Sequence, residues 1–111
     1  MPRNMSFSLT TEQIKDRTKT VTRRKGWERL KVGDTINACV KCMGLKKGEK
    51  PERLALIQVT GVSREPLHWI SAADVRCEGF DMLPAEFVDM FCRHMGGDQN
   101  QVVTRIEFKY L

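Results

Sequence analysis

Lys19, Thr22, Arg23 and Arg24 fall within the short segment Arg17-Thr18-Lys19-Thr20-Val21-Thr22-Arg23-Arg24. Arginine offers fork-shaped donors that match phosphate, lysine a compact point charge, and threonine a neutral hydrogen bond. Together they are the donor set that a phosphate asks for, so the ligand expected of this segment is RNA or a nucleotide. The same residue types would also decorate a solvated edge strand. A regular strand turns Lys19 and Thr22 to opposite faces. Both can serve one site only if Lys19 lies in the turn before the strand.

Other residues could join them. Glu78 sits in Cys77-Glu78-Gly79-Phe80, where Gly79 permits a left-handed turn between two helical patterns. Its carboxylate could face a pocket or end a solvated helix. Lys46 and Lys47 lie in the basic stretch Gly44-Leu45-Lys46-Lys47-Gly48-Glu49-Lys50-Pro51, which reads as a loop. Trp27, Trp69 and Phe80 could stack on bases, although such rings more often fill cores. Cys39-Val40-Lys41-Cys42 has the spacing of half a zinc site, and Cys77, Cys92 and His94 are the further ligands on offer. They are scattered, and a strand at residues 36–40 would turn Cys39 and Cys42 apart. Buried structural cysteine is therefore preferred, with no metal and no cofactor expected.

These residues need elements to position them. Ser6-Phe7-Ser8-Leu9 alternates as a short strand does. A helix is expected over residues 11–17, capped by Thr10 with Gln13 in the capping-box position and Leu9 stapled to Ile14. Thr20-Val21-Thr22 is β-branched throughout and predicts a strand. Further strands are expected at residues 35–40 and 54–62, the latter central and ended by Arg64-Glu65-Pro66. Ser71-Ala72-Ala73-Asp74 opens a second helix that stops at Gly79. Met82, Phe87, Met90 and Phe91 share one face of a third, ending near Gly96-Gly97. Residues 102–110 alternate strongly and close the chain as a strand. The order β-α-β-β-β-α-α-β predicts an α+β, mainly β domain: a small, mostly antiparallel barrel with two to three short flanking helices.

The chain has 111 residues, which suits one domain over 1–111. About 41% of them are hydrophobic, enough for a modest core. No stretch approaches the roughly 20 apolar residues of a membrane span. The N-terminal residues lack an apolar signal-like region. A soluble cytoplasmic protein is expected. The net charge of +5 gives a slight push toward polyanionic partners.

The segment from Lys19 to Arg24, Glu78-Gly79-Phe80 followed by Glu86-Phe87, and the closing Ile106-Glu107-Phe108-Lys109 together resemble the ASCH domain family, whose fold is PUA-like. Its hallmark is a G-x-K-x-x-T-x-R type segment after the first helix. Arg17 replaces the leading glycine here. The resemblance runs in register along nearly the whole chain. It implies a small β-barrel with helices around a cleft, and RNA binding or RNA-linked chemistry. One branch of similar size is an acetylcytidine amidohydrolase, whose lysine, threonine and glutamate would fall on Lys19, Thr22 and Glu78. Other members are described as nucleases. The basic loop around Lys46 and Lys47 looks like that of phage or prophage relatives.

Four functions follow. The first is RNA or nucleotide binding, with Arg23, Arg24, Lys46 and Lys47 touching phosphate. The second is deacylation of an acetylated nucleoside by catalytic Lys19, Thr22 and Glu78. For that, Thr22 needs a base, and Lys19 can be one only if it is neutral, far from its reference pKa of roughly 10.4. Nearby Arg23 and Arg24 would favour neutrality and Glu78 would oppose it. The third is a metal-independent ribonuclease using the same cleft. The fourth is a protein-interaction module, for which the sequence offers no positive sign.

Overall fold

The computed structural model describes residues 2–41, 48 and 50–111. Five strands form one sheet: β1 (Arg3–Ser6), β2 (Val21–Arg24), β3 (Thr35–Cys39), β4 (Arg53–Pro66) and β5 (Val102–Tyr110). Helices α1 (Thr11–Lys15), α2 (Ala72–Cys77) and α3 (Pro84–Met95) lie between them. The strand order is β1-β3-β4-β5-β2, antiparallel except for the β1–β3 pair. This is the small α+β, PUA-like arrangement expected, built as a curled half-barrel. Among the described residues, no helix is long and apolar enough to cross a membrane.

The two ends of the sheet come together. β1 and β2 are the edge strands, yet the Arg24 guanidinium lies 4.6 Å from the centre of the Phe7 ring, just beyond β1. Strand twist curls the sheet until its edges face each other. The gap between them is the seam of an unclosed barrel.

Apolar alternation along β3, β4 and β5 points Ile36, Ala38, Ile57, Val59, Ile106 and Phe108 into one core. A smaller core lies under α3, where Phe87, Val88 and Phe91 pack with Leu67, Val75 and Val103. Burying each such side chain stabilises the fold by roughly 1.5–3 kcal/mol before entropy is counted.

Several boundaries differ from expectation. The first strand is Arg3–Ser6, not residues 6–9, and Ser8–Thr10 is a 3-10 turn. Backbone pairing with β3, in register Arg3↔Ile36, outweighs the local alternation. The first helix stops at Lys15, and Arg17 takes a left-handed φ of 62°. The Thr10 side chain makes no cap, and Leu9 is exposed rather than stapled over the helix. Gln13 is drawn away because its Nε2 donates across the molecule to the Gly79 carbonyl, at 3.0 Å. β4 runs through Arg64-Glu65-Pro66 instead of ending there, because β5 offers partners out to Val102. The second helix fits: Ser71 Oγ accepts from the Asp74 N–H at 3.1 Å. Cys39 is buried. Cys42, Lys46 and Lys47 lie outside the described residues, and no metal-binding group of three His, Cys, Asp or Glu occurs among the described ones.

Candidate functional site

Lys19 lies in the turn before β2, where a shared site requires it. Three contacts hold that turn. The Thr20 N–H donates to the Cys77 carbonyl at 2.8 Å, Phe108 N–H to the Thr20 carbonyl at 3.0 Å, and the Tyr110 hydroxyl to the Lys19 carbonyl at 2.6 Å. The backbone from Lys19 to Thr20 is thus strapped to the end of α2 on one side and to β5 on the other.

Glu78 comes from the other direction. It ends α2, and the chain then reverses through Gly79 at φ 96°. A Cβ on Gly79 would stand 2.7 Å from Gln13 Cγ. The glycine therefore supplies both the left-handed turn and the close approach of α1. That approach brings Lys19 and Glu78 together. Lys19 Nζ donates to Glu78 Oε1 at 2.7 Å and to the Glu78 carbonyl at 2.8 Å. Both side chains are only 3% exposed.

Arg23 extends the pair into a network. Its Nη1 donates to Glu78 Oε2 at 3.3 Å, and its Nη2 to Asp74 Oδ2 at 2.6 Å and Glu65 Oε1 at 3.4 Å. Arg105, directly opposite Arg23 across the β2–β5 ladder, grips the same Asp74 through Nε at 2.7 Å. Two facing arginines would repel, and the carboxylate between them turns repulsion into a clamp. These cations hold the Asp74 carboxyl down at about 2, the hydrogen bond from Arg105 being the largest cause. Asp74, Glu65 and Arg105 were not singled out by sequence. Asp74 and Glu78 are four apart on one helix, which places them on one face and was the available signal. The Arg23↔Arg105 pairing was legible only once the register was known.

The cleft itself lies at the seam. It is lined by Lys19, Thr22, Arg24 and Glu78 and by the phenyl rings of Phe7, Phe80, Phe87 and Phe91. Phe80 and Phe87 meet edge to face, 5.8 Å between centres. The cavity measures about 140 Å³. A cavity of roughly 150 Å³ holds a single benzene-sized ring, whereas drug-sized ligands need about 300 Å³ or more. There is room for one ring, with the rest of a ligand left at the mouth.

Electrostatics in the cleft are dominated by cations. Lys19, Arg23 and Arg24 stand against the single carboxylate of Glu78 among the lining residues. Burial lowers the Lys19 pKa, and the charges of Arg24 and Arg23 lower it further, while Glu78 pulls it up. Thr22 is buried, and its Oγ1 accepts from Arg24 Nε at 3.1 Å. That leaves the hydroxyl proton to be given elsewhere. The structure thus brings together Lys19, Thr22, Arg23, Arg24 and Glu78. It turns Arg23, whose side chain is 1% exposed, toward internal carboxylates. Of the aromatic candidates, Phe80 lines the cleft, Trp27 packs against the main core and Trp69 is exposed elsewhere.

No family model and no curated protein matches this chain. Solved structures do. A protein of Enterococcus faecalis V583 assigned to the family DUF984 is 19% identical, with a TM-score of 0.71, over 100% of this chain and 80% of its own. An ASCH domain from Lactobacillus crispatus JV V101 is 15% identical, with a TM-score of 0.68, over 97% of this chain and 78% of its own. A hypothetical protein is 18% identical, with a TM-score of 0.66, over the whole of both chains. The chain has the fold of an ASCH domain, as the sequence resemblance implies.

Proposed function

We propose that the cleft binds a nucleotide, free or within RNA, by taking its base among the phenyl rings that line it together with Lys19 and Thr22. The observation that carries this is the cavity's pairing of size and lining. It admits one ring, it is lined by phenyl rings, and Arg24 is the least buried of its three cations, able to meet a phosphate. Base–aromatic stacking contributes about 1–3 kcal/mol per base. Arg24 supplies a planar donor for phosphate. Arg23 positions Glu78 rather than meeting the ligand, and Glu78 in turn orients the Lys19 ammonium.

Calorimetric titration with cytidine and uridine monophosphates tests the proposal. The wild-type protein is expected to bind, and Arg24→Ala and Phe80→Ala each to weaken binding by about tenfold, in line with the loss of one such contact. Absence of binding to any nucleoside monophosphate at low salt would refute it.

A second reading is favoured by one observation: Lys19, Glu78 and the buried Thr22 line the same cleft, where burial and the neighbouring arginines push the Lys19 pKa down. A neutral Lys19 amine would take the Thr22 proton as Thr22 Oγ attacks the acyl carbon of an acylated cytidine. The proton would pass, by way of Glu78, to the departing exocyclic amine. Water would then cleave the threonyl ester and restore both groups. Incubation with acetylcytidine should release cytidine and acetate, and Thr22→Ala should stop the release. If Thr22→Ala turned over as fast as wild type, Thr22 would not be the nucleophile; if wild type released nothing, binding would stand alone. A ribonuclease would instead show RNA breakdown, without added metal, that disappears in Lys19→Ala.

A further inference from the structure

The sequence that follows the cleft is unusually basic, and the proposed function does not use it. Lys25, Arg29 and Lys31 follow Arg24 within seven residues, with Glu28 the single acid among them. Glu28 is occupied: Arg64 Nη1 donates to its Oε1 at 3.0 Å. Lys25, Arg29 and Lys31 are exposed.

This stretch leads to a second depression lined by Arg3, Arg29, Leu30, Asp34, Thr35 and Ile36. Its one acid is engaged, since Asp34 Oδ2 accepts the Lys31 N–H at 2.9 Å. Arg3 is exposed, and its guanidinium stacks 4.2 Å from the centre of the Trp27 ring. Stacking holds a long side chain at the surface with its planar fork still able to donate.

The two depressions are linked by the chain after β2. Lys25 Nζ lies 3.8 Å from where a Gly96 Cβ would be, next to His94 and Met95 on the cleft's rim. Lys25 at the cleft is two residues from Trp27, on which Arg3 stacks, and Arg3 shares the second depression with Arg29.

We propose that this track carries the sugar–phosphate backbone of a single-stranded oligonucleotide whose base occupies the cleft. The inference rests on the nucleotide-binding reading and deepens it: the partner is a polymer of at least three or four nucleotides rather than a free monomer. The stacked Arg3 and the exposed Arg29 hold the phosphates next along the strand. Backbone contacts of this kind do not tell RNA from DNA, so the shared chemistry is that of a single strand.

The test compares uridine monophosphate with labelled single-stranded tetranucleotides of RNA and DNA, using wild type and the double variant Arg3→Ala/Arg29→Ala. Both substitutions are at exposed positions, and thermal melting confirms that the variant folds. The wild-type protein should bind a tetranucleotide at least about tenfold more tightly than the monophosphate at low salt. The double variant should lose that gain yet bind the monophosphate within about twofold of wild type. Its log-affinity against log-salt slope should fall by about 1.4, the value for two phosphates on a single strand at roughly 0.7 each. Equal binding of RNA and DNA supports backbone recognition, and tighter RNA supports it with an added ribose contact. If the monophosphate binds but tetranucleotides gain nothing, or the double variant keeps the gain, the track is overturned alone. If the monophosphate does not bind, cleft and track fall together.

Discussion

Lys19 and Glu78 are each other's reason for being buried. Removing one partner of a buried pair costs about 3–5 kcal/mol when the other is left uncompensated. Arg23 still reaches Glu78, so Lys19→Met should cost less than that, read by urea denaturation. Glu78→Gln is more informative. It keeps an oxygen toward Lys19 Nζ but removes the charge that pulls the lysine upward, so the Lys19 pKa should fall further; its burial and the arginines already push it down. A 15N titration of the Lys19 amine reads this directly, and an unchanged or raised pKa would contradict the network described. Asp74 gives a separate pH signature. Its pKa is about 2 in the folded protein against 3.8 for the free group. The unfolded chain binds the extra proton first, so stability present above about pH 4 is lost as pH falls toward 2. Asp74→Asn should flatten that window, and denaturation midpoints at pH 5 and pH 2.5 measure it.

At the scale of elements, the site depends on how α1 and α2 end. Only the end of α2 has a local signal in the sequence. Ser71 and Gly79 mark α2 by local chemistry, a cap and a left-handed turn. The end of α1 is set from outside, by Gln13 reaching Gly79 and by Arg17 turning left-handed. Local patterning could not show it, because the partner lies 66 residues away in sequence. Gly79→Ala should cost about 1–3 kcal/mol, combining an unfavourable φ with the clash against Gln13. Because the same residue sets the distance from Lys19 to Glu78, nucleotide binding should weaken even where the variant stays folded. Thermal melting and titration together separate the two effects. Tyr110→Phe removes the hydroxyl that fixes the Lys19 carbonyl. A loss of about 1 kcal/mol is expected from a single hydrogen bond.

At the scale of the whole molecule, the cleft is what remains when a five-stranded sheet curls without closing. Its lining comes from the end of β1 and the turn after it, from β2 and from α3, while β4 and β5 lie inside the sheet. Edge strands pair on one side only, so they open more readily than central ones. Amide hydrogen exchange should be slowest in β4 and β5 and faster in β1 and β2, with ligand slowing the edges selectively. Uniform protection across the sheet would argue against a seam that the ligand bridges. The sequence by itself determined the number and order of nearly all the elements, because apolar alternation, capping residues and glycine turns act over a few residues. It also named Lys19, Thr22 and Glu78 as a group through a resemblance in register, with Arg23 and Arg24 beside them as phosphate ligands. Only the tertiary structure decided that Arg23 faces inward to Asp74 and Glu65, that Gln13 leaves its helix to hold Gly79, and that the two sheet edges meet at Phe7 and Arg24. Those contacts join residues far apart in the chain, and their geometry comes from sheet curl and strand register, which no local pattern encodes.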